Sequence, residues 1–279
     1  MLFYCRERGD WLQWSHYQKM KGEGRLMSTI VLEFSPTGGT HAVLELIGEA
    51  FTVESSVDLS RDDDWHGVAF RSNDVCLIGM PSFGGRAPDI ALERLRQFDG
   101  GGARAVLVCV YGNRDFEDTL LEMVDTVRAC GFRPVAAVAA VAEHSLLPQY
   151  AAGRPEGRDV NELRQFGRDI KQDLLNHPEK TKVGVPGNRP YRKYDGVPLK
   201  PKARRKACVN CGLCASKCPV GAIPLDAPSR TDSKRCISCM RCVHLCPQGA
   251  RRVNSVVKRV AALRLRRTCK VPKENKLYL

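Results

Sequence analysis

The 279 residues carry 43% hydrophobic and 27% charged side chains, the balance of a globular protein, with a formal net charge of +13 at pH 7. The longest apolar stretch, Val135 to Ala142, falls far short of the ~18–20 residues a membrane helix needs, and residues 1–26 lack the apolar core of a secretory signal. No membrane-spanning helix and no export signal is expected, and the expected location is cytoplasmic.

The charge is unevenly placed. Residues 1–177 hold 19 basic and 26 acidic side chains, net −7, whereas residues 178–279 hold 25 basic and 5 acidic ones, net +20. Such asymmetry points to two units with different partners.

In chain order, residues 1–26 show no apolar period, and Met27-Ser28-Thr29 leads straight into an apolar run. The folded domain is expected to begin at Met27, with 1–26 a non-native or disordered extension. Thr29–Phe34 reads as a strand, followed by Ser35-Pro36-Thr37-Gly38-Gly39-Thr40 and a helix over His41–Phe51. Val75–Met80 is a second strand, followed by Pro81–Pro88 and a helix over Asp89–Phe98. Arg104–Tyr111 is a third, with Gly112-Asn113-Arg114 and a helix from about Phe116 to Cys130 after it. Pro134–Ala142 supplies another strand and Val160–Leu175 the last helix of residues 27–176. Strands alternating with helices of this length predict an α/β fold, a doubly wound parallel sheet, with ligands at the carboxyl ends of the strands.

Residues 177–206 are rich in Pro, Gly, Lys and Arg without a period, so they read as a basic linker. An internal repeat follows over 207–252. CVNCGLCASKCP starts at Cys208 and CISCMRCVHLCP at Cys236, an offset of 28 residues that all four cysteines of each copy keep. Residues 253–279 form a basic tail, helical and amphipathic from Val253 to Arg267; in it and just before it Arg251, Arg252, Lys258, Arg259, Arg264, Arg266, Arg267 and Lys270 crowd together.

Thirteen cysteines, eight of them at two- and three-residue gaps, argue for metal rather than disulfides. Structural zinc uses four cysteines in two spaced pairs. A third cysteine at the same short spacing, then Cys-Pro, twice over, fits cubane clusters instead, since each sulfur must reach a different iron. The repeat resembles the bacterial two-cluster ferredoxin domain, an α+β unit. In that pattern the fourth cysteine reaches across to the other cluster. The resemblance thus implies one [4Fe–4S] cluster on Cys208, Cys211, Cys214 and Cys246 and a second on Cys218, Cys236, Cys239 and Cys242.

Ser35 to Thr40 offers hydroxyls and free N–H groups at a helix start, a phosphate site without the lysine of a nucleoside triphosphate loop. Phe83 beside Gly84 and Gly85, and Tyr111 beside Gly112, could face a flat ring. Together the three loops resemble the flavodoxin family, with Gly39 where that family's phosphate loop usually has asparagine. The resemblance implies a flavodoxin-like domain binding FMN: Ser35, Thr37, Gly38, Gly39 and Thr40 on the phosphate; Pro81, Ser82, Phe83, Gly84, Gly85, Tyr111, Gly112 and Asn113 around the ring. The whole, from about Met27 to Arg252, resembles fused proteins that carry a flavodoxin-like domain ahead of a two-cluster ferredoxin domain.

The functional expectation is an electron-transfer protein of an anaerobic or microaerobic cell, passing single electrons between two [4Fe–4S] clusters and FMN. Its expected partners are redox proteins with acidic docking surfaces, in preference to nucleic acid or membrane. Two alternatives stand beside it: a flavin-dependent reductase, for which His144 and Arg114 are the acid/base candidates, and a redox-sensing nucleic-acid binder. No catalytic residue is assigned.

Overall fold

The computed structural model describes residues 2–5, 10–13, 28–61 and 67–279. Leu2–Cys5 (β1) and Asp10–Gln13 (β2) pair as an antiparallel hairpin, where the sequence offered no period. The expected start at Met27 lies outside the described residues.

The sheet domain follows as β3 (Thr29–Glu33), α1 (Gly39–Gly48), β4 (Val53–Asp58), β5 (Val75–Pro81), α2 (Asp89–Leu95), β6 (Arg104–Tyr111), α3 (Thr119–Ala129), β7 (Arg133–Val141) and α4 (Arg158–Asn176). Strands β3, β5, β6 and β7 are parallel and almost wholly buried, which is why their sequences are continuous apolar runs rather than alternations. The sequence reading had no β4. Its residues VESSVD are mostly exposed, because β4 lies beyond β3 at the sheet's rim.

The five parallel strands stand in the order β4-β3-β5-β6-β7. This is the flavodoxin-like order, and its switch point lies between β3 and β5. Helices α1 and α4 cover one face with Val43, Leu44, Ile47, Leu163, Ile170 and Leu174. Helices α2 and α3 cover the other with Leu92, Leu95, Leu120, Met123 and Val127. Gly167 lets α4 touch α1, for a Cβ there would come 2.4 Å from the Ile47 carbonyl oxygen.

Residues 178–201 have no regular secondary structure, yet they are fastened to the sheet domain rather than loose. The buried carboxylate of Asp118 accepts from the backbone N–H of Asn188 (2.8 Å) and of Arg192 (2.7 Å). Arg189 donates to Asp125 at 2.5 Å, and the Arg86 guanidinium sits 5.0 Å from the Tyr191 ring centroid.

The cysteine repeat contributes β8 (Lys202–Ala203), two single-turn helices α5 (Leu213–Ser216) and α6 (Arg241–His244), and β9 (Arg251–Arg252), which pairs antiparallel with β8. Helix α7 (Ser255–Cys269) follows, capped by Asn254, whose side chain accepts from the N–H of Val256 and Val257. The chain then returns to the first domain. Strand β10 (Lys276–Tyr278) pairs antiparallel with β7 as a sixth strand, an element the sequence reading left inside the tail. One expectation about the tail is corrected here: Arg251 is only 2% exposed and belongs to the interior of the repeat, not to the basic surface.

Candidate functional site

Both copies of the repeat bend the chain in the same way. Asn210 and its counterpart Ser238 have φ of 54° and 58°, and Gly212 and Met240 have φ of 73° and 64°. Left-handed residues at these points coil each C-x2-C-x2-C run tightly enough for three sulfurs to face one space. After each Cys-Pro, Gly221 or Gly249 takes a positive φ (57° and 51°), and the next amide turns back on the cysteine. Ala222 N–H donates to Cys218 Sγ at 3.2 Å and Ala250 N–H to Cys246 Sγ at 3.3 Å.

Two small cavities result. One is lined by Cys208, Cys211, Cys214 and Cys246, the other by Cys218, Cys236, Cys239 and Cys242. Each thus takes three sulfurs from one copy and its fourth from the other. Burial pushes the Cys239 and Cys242 thiols up to about 12. Burial also acts on Cys246, but the backbone N–H groups of Arg251, Ala250 and Gln248 and the Arg251 charge bring that thiol below its ordinary value. Soft sulfur donors with amides aimed at them suit an iron–sulfur cluster, whose negative sulfurs take up such N–H groups.

A third and larger cavity, about 350 Å³, opens at the carboxyl ends of β3, β5, β6 and β7. Ser35, Thr37, Gly39 and Thr40 line it from the first loop, Pro81, Ser82, Phe83 and Gly84 from the second, and Tyr111 and Gly112 from the third. Gly38 is the residue before α1, at φ 88°, and the Ser35 hydroxyl accepts from His41 N–H at 2.9 Å, which holds the loop over the helix start. Gly38, Gly85 and Asn113 do not reach the wall.

The two remaining residues of the third loop are partly occupied elsewhere. Asn113 donates to the carbonyls of Cys269 (2.8 Å) and Val271 (3.0 Å) and accepts from Lys273 N–H (2.7 Å). The Tyr111 hydroxyl donates to the Glu274 carbonyl at 3.3 Å, and burial raises its pKa. These two side chains therefore anchor the C-terminal segment, and Tyr111 shows the cavity only part of its ring.

His144 also lines the cavity, beside Gly112, where a Cβ would come 2.6 Å from the His144 Cβ. Burial, with Arg114 nearby, lowers its pKa to about 4. Its Nδ1 accepts from Leu146 N–H at 3.3 Å, so the ring is neutral with its proton on Nε2. Arg114 pairs with Glu117 at 2.5 Å and is not a free cation.

The rest of the wall comes from elements the sequence reading did not connect with it. The fastened segment gives Tyr194, Val197, Pro198 and Leu199; the second copy of the repeat gives Ile237, Ser238 and Cys239; and α7 gives Val257, Val260, Ala261, Arg264 and Leu265. A Cβ on Gly84 would lie 2.2 Å from the Tyr194 ring, so this glycine exists to admit that aromatic. The only sequence signal was the pair of tyrosines inside an otherwise Pro/Gly-rich stretch.

Residues 207–250 match the family model for the 4Fe-4S dicluster domain. This part of the chain is a two-cluster iron–sulfur domain. Joined to a flavodoxin-like sheet, it gives the molecule an electron-transfer role. Among solved structures, the chain aligns with a flavodoxin from the domain Archaea (16% identity, TM-score 0.36, 53% of this chain and 99% of that one). It aligns with the flavodoxin of Streptococcus pneumoniae TIGR4 at 17% identity and TM-score 0.36, over 53% and 99%. A rubredoxin oxygen:oxidoreductase from Desulfovibrio gigas aligns at 12% identity and TM-score 0.38, over 57% and 40%. No curated protein matches the chain. No helix among the described residues is long and apolar enough to cross a membrane.

Proposed function

We propose that the large cavity holds FMN and that the chain passes electrons one at a time between this flavin and its two [4Fe–4S] clusters. The observation that carries the reading is a shared wall. Ile237 and Cys239 line both the flavin cavity and the cavity of the Cys218, Cys236, Cys239 and Cys242 cluster. Electrons would then pass from one redox group to the next without crossing solvent, in the order flavin, near cluster, far cluster.

Ser35, Thr37, Gly39 and Thr40 would hold the phosphate at the start of α1, where hydroxyls, free amides and the helix dipole favour an anion. Pro81, Ser82, Phe83 and Gly84, with Tyr194 packed on Gly84, and Tyr111 and Gly112 from the third loop would bound the ring. When bound, FMN supplies a centre able to exchange one or two electrons, to which single-electron clusters can be matched. His144 serves this site as a hydrogen-bond donor through Nε2, because a ring that stays neutral at pH 7 has no second proton to give. The reductase alternative therefore loses its main acid.

The exposed side chains of Arg259, Arg266 and Arg267 stand on the helix that covers the cavity, and that of Lys270 just past its end. Their charge suits a redox partner with an acidic docking surface, which would speed encounter at low salt.

The Thr37→Val/Thr40→Val double variant tests the flavin site. Each hydrogen bond to a charged phosphate contributes ~1.5–3 kcal/mol, so losing both should weaken FMN by ~100-fold or more. Riboflavin, which has no phosphate, should bind both proteins alike. Unchanged FMN affinity in the double variant would leave the loop a turn and the clusters the sole carriers.

A further inference from the structure

Both copies of the repeat take the same left-handed turns but differ in several interior residues, one of which exchanges an apolar side chain for a charged one. Where the first copy has Ile223, 28 residues on the second has Arg251. Ile223 lines the cavity of the near cluster, and Arg251 lines that of the far one. Both are buried, at 4% and 2% exposure.

Burying a guanidinium is costly unless its donors and its charge are answered. The donors are answered in part. Nη1 donates to Thr231 Oγ1 at 2.5 Å, and Nη2 donates to the carbonyls of Arg230 (2.9 Å) and Pro228. Nε is buried without a hydrogen-bond partner. Among the described residues these partners are neutral oxygens; the charge and the backbone N–H of Arg251 both bear on Cys246 of the far cavity, while the charge alone reaches Cys242 of the near one. The near cluster's cavity is also lined by an arginine, Arg241, but that one is paired with Asp58 at 3.4 Å.

We propose that Arg251 is the charge partner of the far cluster, held by Cys208, Cys211, Cys214 and Cys246, and raises its reduction potential above that of its twin. An added electron makes a cluster more negative, and a buried cation beside it favours that state. The step is one electron leaving the near cluster and entering the far one, with no bond or proton moved. A domain holding a single electron therefore keeps it on the far cluster, away from the flavin cavity. Its substrate class is then set at that end: a one-electron acceptor or donor that meets the far cluster.

The inference rests on the crossed assignment of the eight cysteines and is independent of whether FMN binds. Redox titration of the anaerobic full-length protein, followed by electron paramagnetic resonance, should give two midpoints. Cys211→Ala should abolish the higher one and Cys239→Ala the lower. Arg251→Ile should move the higher midpoint down towards the other, with iron and sulfide content kept, and Arg251→Lys should restore part of the separation. Two equal midpoints in the wild type, survival of the higher one in Cys211→Ala, or an unmoved pair in an iron-replete Arg251→Ile protein would each overturn the proposal. If Arg251→Ile loses iron, Arg251→Gln takes its place, with the same two outcomes.

Discussion

In the sheet domain Leu32, Ile78, Leu107 and Val138 are fully buried, and the clusters of apolar side chains on the two faces run through every strand and helix from β3 to α4. In the dicluster domain the buried hydrophobic residues are Ala215, Ala222, Ile223, Met240 and Ala250, beside Cys239. Its regular structure is two single helical turns, a 3-10 turn at Arg205–Ala207 and a two-residue ribbon. The first region has enough apolar area to offset the entropy of ordering its chain; the second does not and must draw on metal–sulfur bonds. One chain thus contains a domain whose apolar core is enough to fold it and another whose folding is tied to its metal.

The sharpest way to break that comparison is to remove the iron. Chelation under reducing conditions should unfold residues 202–252 outright, seen as loss of amide protection there, while the amides of β5, β6 and β7 stay protected. Collapse of both regions together would mean the sheet domain depends on its neighbour.

Next in size is the ligand exchange between copies. Cys218→Ala should damage the cluster of Cys236, Cys239 and Cys242, and Cys246→Ala that of Cys208, Cys211 and Cys214. Low-temperature electron paramagnetic resonance of the reduced variants separates the two, and loss of the same signal in both would contradict the crossed arrangement.

Within the sheet domain the currency is packing. Leu107→Ala should lower its unfolding free energy by ~2–5 kcal/mol, read from denaturant titration, and leave iron content unchanged. Smallest is the fastening of residues 178–201. Asp118→Asn removes one backbone acceptor and a charge, a loss of ~1.5–3 kcal/mol, and should loosen Asn188 and Arg192 in hydrogen exchange. Burial acts to raise the Asp118 carboxyl, but its hydrogen bonds from Arg192 and Asn188 bring it below the ordinary value. That contribution is therefore present above the unfolded pKa of ~3.9 and lost as the pH falls through the folded one. The gap between Asp118→Asn and wild type should close in acid.

The same contrast explains what the sequence disclosed. Cysteine spacing is fixed by the cluster, so the repeat was legible residue by residue, and continuous apolar runs marked β3, β5, β6 and β7. Strand β4 escaped because VESSVD is polar and exposed at a rim, and β10 because three residues carry no period. The segment 178–201 looked like a linker because its order comes from Asp118, Asp125 and Arg86, residues far away in sequence. Arg251 is illegible as an interior residue because nothing local distinguishes a buried arginine from its neighbours in a basic stretch. For the same reason Tyr194 and α7 could not be connected with the cavity: they reach it only through the fold.

The sixth strand has a consequence for the order of assembly. Strand β7 reads RPVAAVAAV, an apolar edge with a full row of open backbone groups until β10 covers Ala137, Val138 and Ala139. Since β10 follows the whole dicluster domain in the chain, a ribosome exposes that edge for as long as the cluster ligands are being made. Asn275 then closes the gap, accepting from Val141 N–H at 2.9 Å and donating to Asp159 and Glu162. A nascent chain stalled at the cluster stage would present a bare, sticky strand. Iron shortage during synthesis would thus show itself as aggregation through the flavodoxin-like half, away from the cluster cysteines.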